Sequence, residues 1–292
     1  MSSVAIAGAG RVAQAMGRLL RERGEVVTAV ASRSLIRAEA AAAFIGGGAE
    51  AVAYSTLPAH AGHILIAVPD DALPEVAGIL ARSGMRRGVA LHTCGTRGPE
   101  VLAPLAAQGV SCGTLHPLQT VASPQQGLSA LTGAAFAIDG DAAATAWAGH
   151  IAALLGGEPL RVAPNSRPFY HAAAVMASNY AVALLDAAVI LMNRAGIHED
   201  TARRALGPLV RESIRNALAL GPVAALTGPI ERGDAGTVNA HLEALADVPE
   251  TVRQLYKAAG LQALDIARRR GLEQSKVRRM EELLRESSKR NA

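Results

Sequence analysis

Over the first half of the chain, short runs of continuous apolar residues alternate with longer amphipathic ones. The apolar runs predict strands over 2–8, 25–32, 63–69, 88–94, 110–115 and 134–139. Helical stretches lie between most of them, among them RVAQAMGRLLRER (11–23), stopped by Gly24, and LIRAEAAAAF (35–44). Strands that are apolar throughout are buried on both faces. The pattern therefore reads as a doubly wound, mostly parallel α/β sheet covered by helices on each side, with right-handed crossovers. Near PLRVAPNSRP (159–168) the pattern changes, and only helical periodicity follows, over about 167–195, 200–220, 235–246, 249–270 and 272–290. Asp200 and Pro249 suit helix starts. We divide the chain near Ala163 into an α/β domain (1–163) and an all-α domain (164–292).

Composition changes this picture little. The chain has 292 residues, is 50% hydrophobic and only 3% aromatic, so its core is aliphatic. The net charge of +4 is local: nine Lys/Arg and four Glu fall between 267 and 292, giving +5 there and −1 elsewhere. No aromatic residue interleaves with that tail, which argues for a solvated helix over a nucleic-acid site. Two cysteines, Cys94 and Cys112, fit a reduced, cytoplasmic setting. The start, Met1-Ser2-Ser3, predicts no signal peptide. AAAVMASNYAVALLDAAVILM (172–192) could be mistaken for a membrane span. Its Asp186 would cost about 2.5–3.5 kcal/mol at mid-bilayer, so we read a long buried helix that packs in a dimer core.

Gly8-Ala9-Gly10-Arg11-Val12-Ala13 is G-x-G-x-x-A between the first strand and the first helix. In that context it predicts a dinucleotide site of Rossmann type. Gly8 makes the turn, Gly10 lets a pyrophosphate approach, and the helix start at Arg11 and Val12 offers amides and a positive dipole end. At the end of the second strand an NAD site needs a carboxylate. The chain has Ser32-Arg33-Ser34 instead, which suits a 2′-phosphate and predicts NADP(H). Val68 and Pro69, and Thr93 in HTCGTRG (92–98), fall at strand ends where the nicotinamide ribose would lie; Pro69-Asp70 is equally an ordinary strand exit.

GTLHPLQT (113–120) ends a strand on His116. Pro117 restrains that residue towards extended geometry. His116 is either a packing histidine or the acid/base beside the nicotinamide, and the second reading is favoured. Gln119 follows it as a substrate candidate. His171, Ser178 and Asn179 lie on the first long helix of the second domain. By helix rise His171 and Asn179 are about 12 Å apart, so they could line opposite ends of a cleft; core packing is as good a reading for His171. Cys94 has no adjacent base and is read as non-catalytic. In ALTGPIERGDAGTV (225–238), Arg232 could clamp a carboxylate, or pair with Asp234, beside Thr237.

Taken together, GAGRVAQAMG, HTCGTRG, LHPLQT, HAAAVMASNY and LTGPIERGDAGTV resemble a bacterial family of Rossmann-like NADP oxidoreductases whose C-terminal half is a domain of unknown function. The family is a cousin of ketopantoate reductase, pyrroline-5-carboxylate reductase, prephenate dehydrogenase and deazaflavin-dependent NADP oxidoreductases. The resemblance implies a helical domain like that of 6-phosphogluconate dehydrogenase and a homodimer built on it. His116-Pro117 resembles the motif around the catalytic histidine of prephenate dehydrogenases. The lysine of ketopantoate reductases is absent: the matching helix carries His171, Val175 and Asn179. Thr237 is the nearest counterpart of a substrate-holding turn in pyrroline-5-carboxylate reductase. The expected activity is hydride transfer between NADP(H) and a small carbonyl, imine or hydroxy acid, with His116, His171 and Asn179 as catalytic candidates. The alternative is a non-catalytic NADP(H) sensor. No membrane or nucleic-acid partner is expected.

Overall fold

In the computed structural model, which describes residues 3–285, the chain divides into two compact units, Met1–Ser178 and Asn179–Ala292. Lys289 and Arg290, with the end of the helix expected over 272–290, lie outside the described residues.

The first unit is one eight-stranded sheet with strands β1 (Ser3–Ala7), β2 (Val26–Ala31), β3 (Glu50–Val52), β4 (His63–Ile66), β5 (Val89–His92), β6 (Ser111–Pro117), β7 (Phe136–Gly140) and β8 (Pro159–Arg161). Their order is β3-β2-β1-β4-β5-β6-β7-β8. All pairings are parallel except β6 with β7. Helices α1 (Arg11–Glu22), α2 (Leu35–Ile45), α3 (Leu73–Arg82), α4 (Ala103–Ala106), α5 (Pro124–Leu131), α6 (Ala142–Leu154) and α7 (Arg167–Ala177) belong to this unit.

The period-two alternation of each strand sends side chains to two separate cores. Val4 and Ile6 of β1, with Val30, Leu65, Leu91 and Leu115, pack under α1, α2 and α6. Ala5 and Ala7, with Ala29, Ala31, Ile64 and Ile66, pack under α3 and α4. Both faces are thus buried, as the continuous apolar runs require. Helix α1 comes so close to the sheet that a Cβ at Gly17 would lie 2.5 Å from the Cδ1 atoms of Ile6 and Ile45.

The second unit contains α8 (Asn179–Arg194), α9 (Glu199–Leu220), α10 (Pro222–Ala225), α11 (Pro229–Arg232), α12 (Ala235–Ala244), α13 (Glu250–Arg270) and α14 (Gln274–Arg285). Its core is Val238, Leu264, Val277, Met280 and Leu284, with Ile230, Leu242 and Tyr256 packed against them.

Three features around the 167–195 stretch differ from the sequence reading. The stretch expected as one helix over 167–195 turns at Ser178, whose hydroxyl donates back to the Ala174 carbonyl at 2.6 Å; such back-bonding competes with the helix ladder. The composition changes at Ala163, whereas the compact units part at Ser178, because α7 packs with the sheet. The same stretch is also not buried within the chain. Pro164–Arg194 is long and apolar enough to cross a membrane by length and composition, and only 11% of its most apolar window is buried.

Candidate functional site

The turn after β1 is held by backbone. Gly8 has φ +128° and donates its N–H to the Ala31 carbonyl at 2.7 Å. A Cβ on Gly8 would stand 2.1 Å from the Ala67 carbonyl oxygen, so the residue is glycine both by conformation and by contact. Gly10 is the N-cap of α1 and gives it no side-chain cap; no acidic residue occupies the first turn. A Cβ on Gly10 would meet nothing within 4 Å, so open space lies over the helix start. Uncapped amides and the positive end of the helix dipole face that space. Arg11 is exposed and donates to the Ala122 carbonyl at 3.1 Å, while Val12 is half-buried.

At the end of β2, Ser34 caps α2 by accepting the Arg37 N–H at 3.4 Å, and the Ser34 N–H donates to Ser32 Oγ at 3.4 Å. Arg33 between them is exposed and forms no ion pair among the described residues. Tyr54, which sequence reasoning passed over, lies beside it: burial raises the phenol's pKa and the Arg33 charge opposes the rise.

Gly8 and Gly10, Val68 and Pro69, Thr93, and His116 follow β1, β4, β5 and β6 or end them. These four strands are consecutive neighbours, so the residues stand in a row along the carboxyl edge of the sheet. Ligands of open α/β sheets bind at that edge.

His116, on β6, shares a 2.8 Å hydrogen bond between its Nδ1 and the hydroxyl of Tyr170 on α7. The two rings meet edge-on, with centroids 5.6 Å apart, and the His171 ring lies 6.5 Å from that of His116. Below the ring is Gly95, where a Cβ would fall 2.7 Å from His116 Nε2. Burial, then the neighbouring His171, lowers the His116 pKa to about 4. Burial likewise raises the Tyr170 pKa. At neutral pH the pair is therefore a phenol and an uncharged imidazole.

Helix α7 is fixed over the sheet by Arg167, which is buried and donates to Asp139 Oδ2 at 2.8 Å and to the Arg97 carbonyl at 3.2 Å. Arg167, Tyr170 and His171 lie at i, i+3 and i+4, one face of the helix. That spacing is the signal that could have found Tyr170 and Arg167; only His171 was singled out. His92 is a structural histidine. Its Nδ1 accepts the Cys94 N–H at 3.2 Å, so Nε2 carries the proton and donates to the Gly98 carbonyl at 3.0 Å. Burial lowers its pKa to about 4. The Cys94 thiol, raised by burial, bonds to Thr96 Oγ1, and Thr96 donates to Asp70 Oδ2 at 3.1 Å. Cys94 is therefore a poor nucleophile.

Gln119 is exposed and its Oε1 accepts the Thr120 N–H. In the second unit, Asn179 opens α8 and Arg232 ends α11. Thr237 gives both its N–H and its hydroxyl to Asp234, at 3.0 and 2.7 Å. There Asp234 is the N-cap of α12 and no ion pair joins it to Arg232 among the described residues.

His92 and His116, both lowered to about 4, predict an acid response. Each binds its proton less readily folded than unfolded, so their contribution is complete above the ordinary histidine value of 6.5 and is lost as pH falls towards 4. The limiting loss is on the order of 3 kcal/mol for each histidine. Urea unfolding of the first unit should show a midpoint falling from pH 7 to pH 4.5, with His116→Gln removing part of that slope. A flat profile would contradict the burial of both rings as neutral species.

Residues 1–117 match the Rossmann-like domain family, and residues 134–263 match the domain of unknown function DUF2520. No curated protein matches the chain in sequence. Among solved structures, a Bacteroides fragilis protein titled "putative NADP oxidoreductase" superposes with a TM-score of 0.74 at 23% identity, covering 90% of this chain and 98% of that one. An imine reductase from Pseudomonas sp. gives 0.62 at 20% identity, over 96% and 99%. A Plasmodium falciparum pyrroline carboxylate reductase with NADP bound gives 0.60 at 10% identity, over 91% and 98%. These likenesses establish the fold.

Proposed function

We propose that this chain, which joins a Rossmann-like domain to a DUF2520 domain, is an NADP(H)-dependent reductase or dehydrogenase of a small carbonyl, imine or hydroxy acid. The carrying observation is the row of strand ends that leads from the uncapped start of α1 to His116. Three strand spacings, about 14 Å, separate β1 from β6, a gap that an extended nicotinamide nucleotide bridges.

The residues fit that cofactor. The amides of Gly10, Arg11 and Val12 would take the diphosphate, in the open space over Gly10. Ser32, Arg33 and Ser34 would take the 2′-phosphate, since Arg33 is exposed and free of carboxylate partners among the described residues. Val68, Pro69 and Thr93 would line the nicotinamide ribose. The bound cofactor supplies or accepts hydride. His116 serves as hydrogen-bond and proton partner of the substrate heteroatom, and His171 and Gln119 orient the substrate. Asn179 and Thr237 are proposed as substrate contacts on the family resemblance, Ser178 on its helix spacing from His171 and Arg232 on its capacity to clamp a carboxylate. The named activities of the imine and pyrroline carboxylate reductases support imines as substrates.

Arg33→Ala tests the cofactor assignment. Removing a charge-assisted contact of about 1.5–3 kcal/mol weakens NADPH binding roughly 10- to 100-fold and leaves NADH binding unchanged. Fluorescence titration with both cofactors reads this; equal losses would contradict a 2′-phosphate contact.

A homodimer through the helical unit is also proposed. Val182, Leu209, Leu218 and Leu220 on α8 and α9 are 63–83% exposed, large apolar side chains that a second copy of the chain would cover. Light scattering should give the mass of two chains; the mass of one chain at micromolar concentration would contradict it.

A further inference from the structure

We propose that Tyr170 is the positioning residue of this site: its hydroxyl donates to His116 Nδ1 and holds the neutral ring in the Nε2–H tautomer. The site is then a hydrogen-bond donor. It takes its ligand through a free lone pair, a carbonyl oxygen or an unprotonated imine nitrogen, and not as an iminium cation. The ligand class rests on the reductase reading; the tautomer does not.

The hydrogen-bond inventory of the pair within the protein favours one of its two arrangements. If Nδ1 carried the proton and donated to the phenol oxygen, the phenol hydrogen would need another acceptor. None is present among the described residues, where the 2.8 Å contact to Nδ1 is the hydroxyl's one hydrogen bond. If the phenol donates instead, its hydrogen and the Nδ1 lone pair are both satisfied, and the imidazole proton must sit on Nε2. That second nitrogen has no hydrogen-bond partner among the described residues and is not among the fully buried orphaned polar atoms, so it opens towards solvent.

Gly95 preserves this geometry. A Cβ there would approach Nε2, Cε1 and Cδ2 of His116 at 2.7, 2.9 and 3.0 Å, so any side chain would displace the ring and its bond to Tyr170. The charges around the ring do not hold it as an imidazolium. Those acting on it are His171 on α7, Asp70 after β4, Arg167 on α7 and His92 on β5. Arg167 is paired with Asp139, His92 is a neutral donor to Gly98, and Asp70 is exposed and bonded to Thr96. No carboxylate contacts His116 among the described residues. A neutral ring that presents N–H can hold a growing negative charge on a substrate oxygen or nitrogen, but it has nothing to offer a nitrogen that already bears a proton.

The test is nitrogen NMR on the full-length protein labelled in its histidines, at pH 7, with His116→Gln to assign the signal. Two-bond proton–nitrogen correlations separate the tautomers directly. Wild type should show a pyridine-type Nδ1 and a pyrrole-type Nε2. In Tyr170→Phe the signal should become a mixture of both tautomers, and its titration midpoint should rise, because the bond that favours the neutral ring is gone. Gly95→Ala, which displaces the ring by another route, should give the same mixture. A wild-type Nδ1–H tautomer, or an unaltered tautomer in Tyr170→Phe, overturns the assignment.

For the ligand class, cyclopentanone and pyrrolidine are added in turn to the NADP-saturated protein at pH 7. The ketone should shift the Nε2 resonance and the ammonium should not; the reverse overturns the class. Neither tautomer result depends on turnover, so failure of the reductase reading and failure of the tautomer assignment give different results.

Discussion

His116→Ala should leave NADPH affinity within about twofold of wild type and lower turnover by roughly two to four orders of magnitude, the usual worth of a positioned acid–base group. The two effects separate because the diphosphate and 2′-phosphate contacts lie at the ends of β1 and β2, while His116 ends β6, three strands from β1. Affinity is read by NADPH fluorescence and turnover by loss of nicotinamide absorbance. His116→Gln, which keeps a donor near the same place, should recover part of the rate. Unchanged turnover in the alanine variant would remove His116 from the chemistry. Loss of NADPH binding would show instead that the ring holds the sheet edge together.

The second large effect is expected at Gly8. Gly8→Ala should cost on the order of 4 kcal/mol, at the diagnostic end for a point substitution, and abolish NADPH binding. Its φ of +128° is closed to alanine at acceptable strain, and the new methyl would stand 2.1 Å from the Ala67 carbonyl oxygen. The methyl is fixed to the backbone just past β1 and the oxygen belongs to the backbone just past β4, strands that pair in parallel, so neither can rotate away. Gly10→Ala is the matched control. Gly10 has φ −79° and a Cβ there meets nothing within 4 Å. That variant should unfold in urea like wild type but bind NADPH more weakly, because the methyl enters the space assigned to the diphosphate. If Gly10→Ala binds normally, the phosphate path does not cross Gly10.

The layout of the first unit was legible because β1, β2, β4, β5 and β6 are buried on both faces and therefore apolar throughout. The two strands missed, β3 and β8, are three residues each at the sheet's two edges, and Glu50, Pro159 and Arg161 give them no apolar run. The turn at Ser178 was hidden because no Gly or Pro marks it; the serine there, which bonds back to the Ala174 carbonyl, reads equally well within a helix. Apolar composition was also a poor guide to burial there. An Ala-rich helix looks like core, yet Val182 is 69% exposed in the single chain.

The site was legible in part. His116 announced itself through the following proline and its place at a strand end. Its partner did not, since Tyr170 lies 54 residues away and is brought over by Arg167 binding Asp139. Charge counting could not distinguish that buried arginine from the exposed ones around it. The electrostatics were invisible too: a histidine that titrates near neutrality in a peptide is held near 4 by burial here. At neutral pH the His116 ring is therefore uncharged, which is the state the proposed role starts from.

The most direct test of the central claim is NADPH oxidation by the purified protein against a panel of 2-oxo acids, ketones, cyclic imines and a deazaflavin, with NADPH-binding fluorescence alongside. Saturable NADPH binding together with turnover of a carbonyl or imine is the expected result. Saturable binding with no turnover across the whole panel would contradict the reductase reading and favour a protein that senses NADP(H) without consuming it.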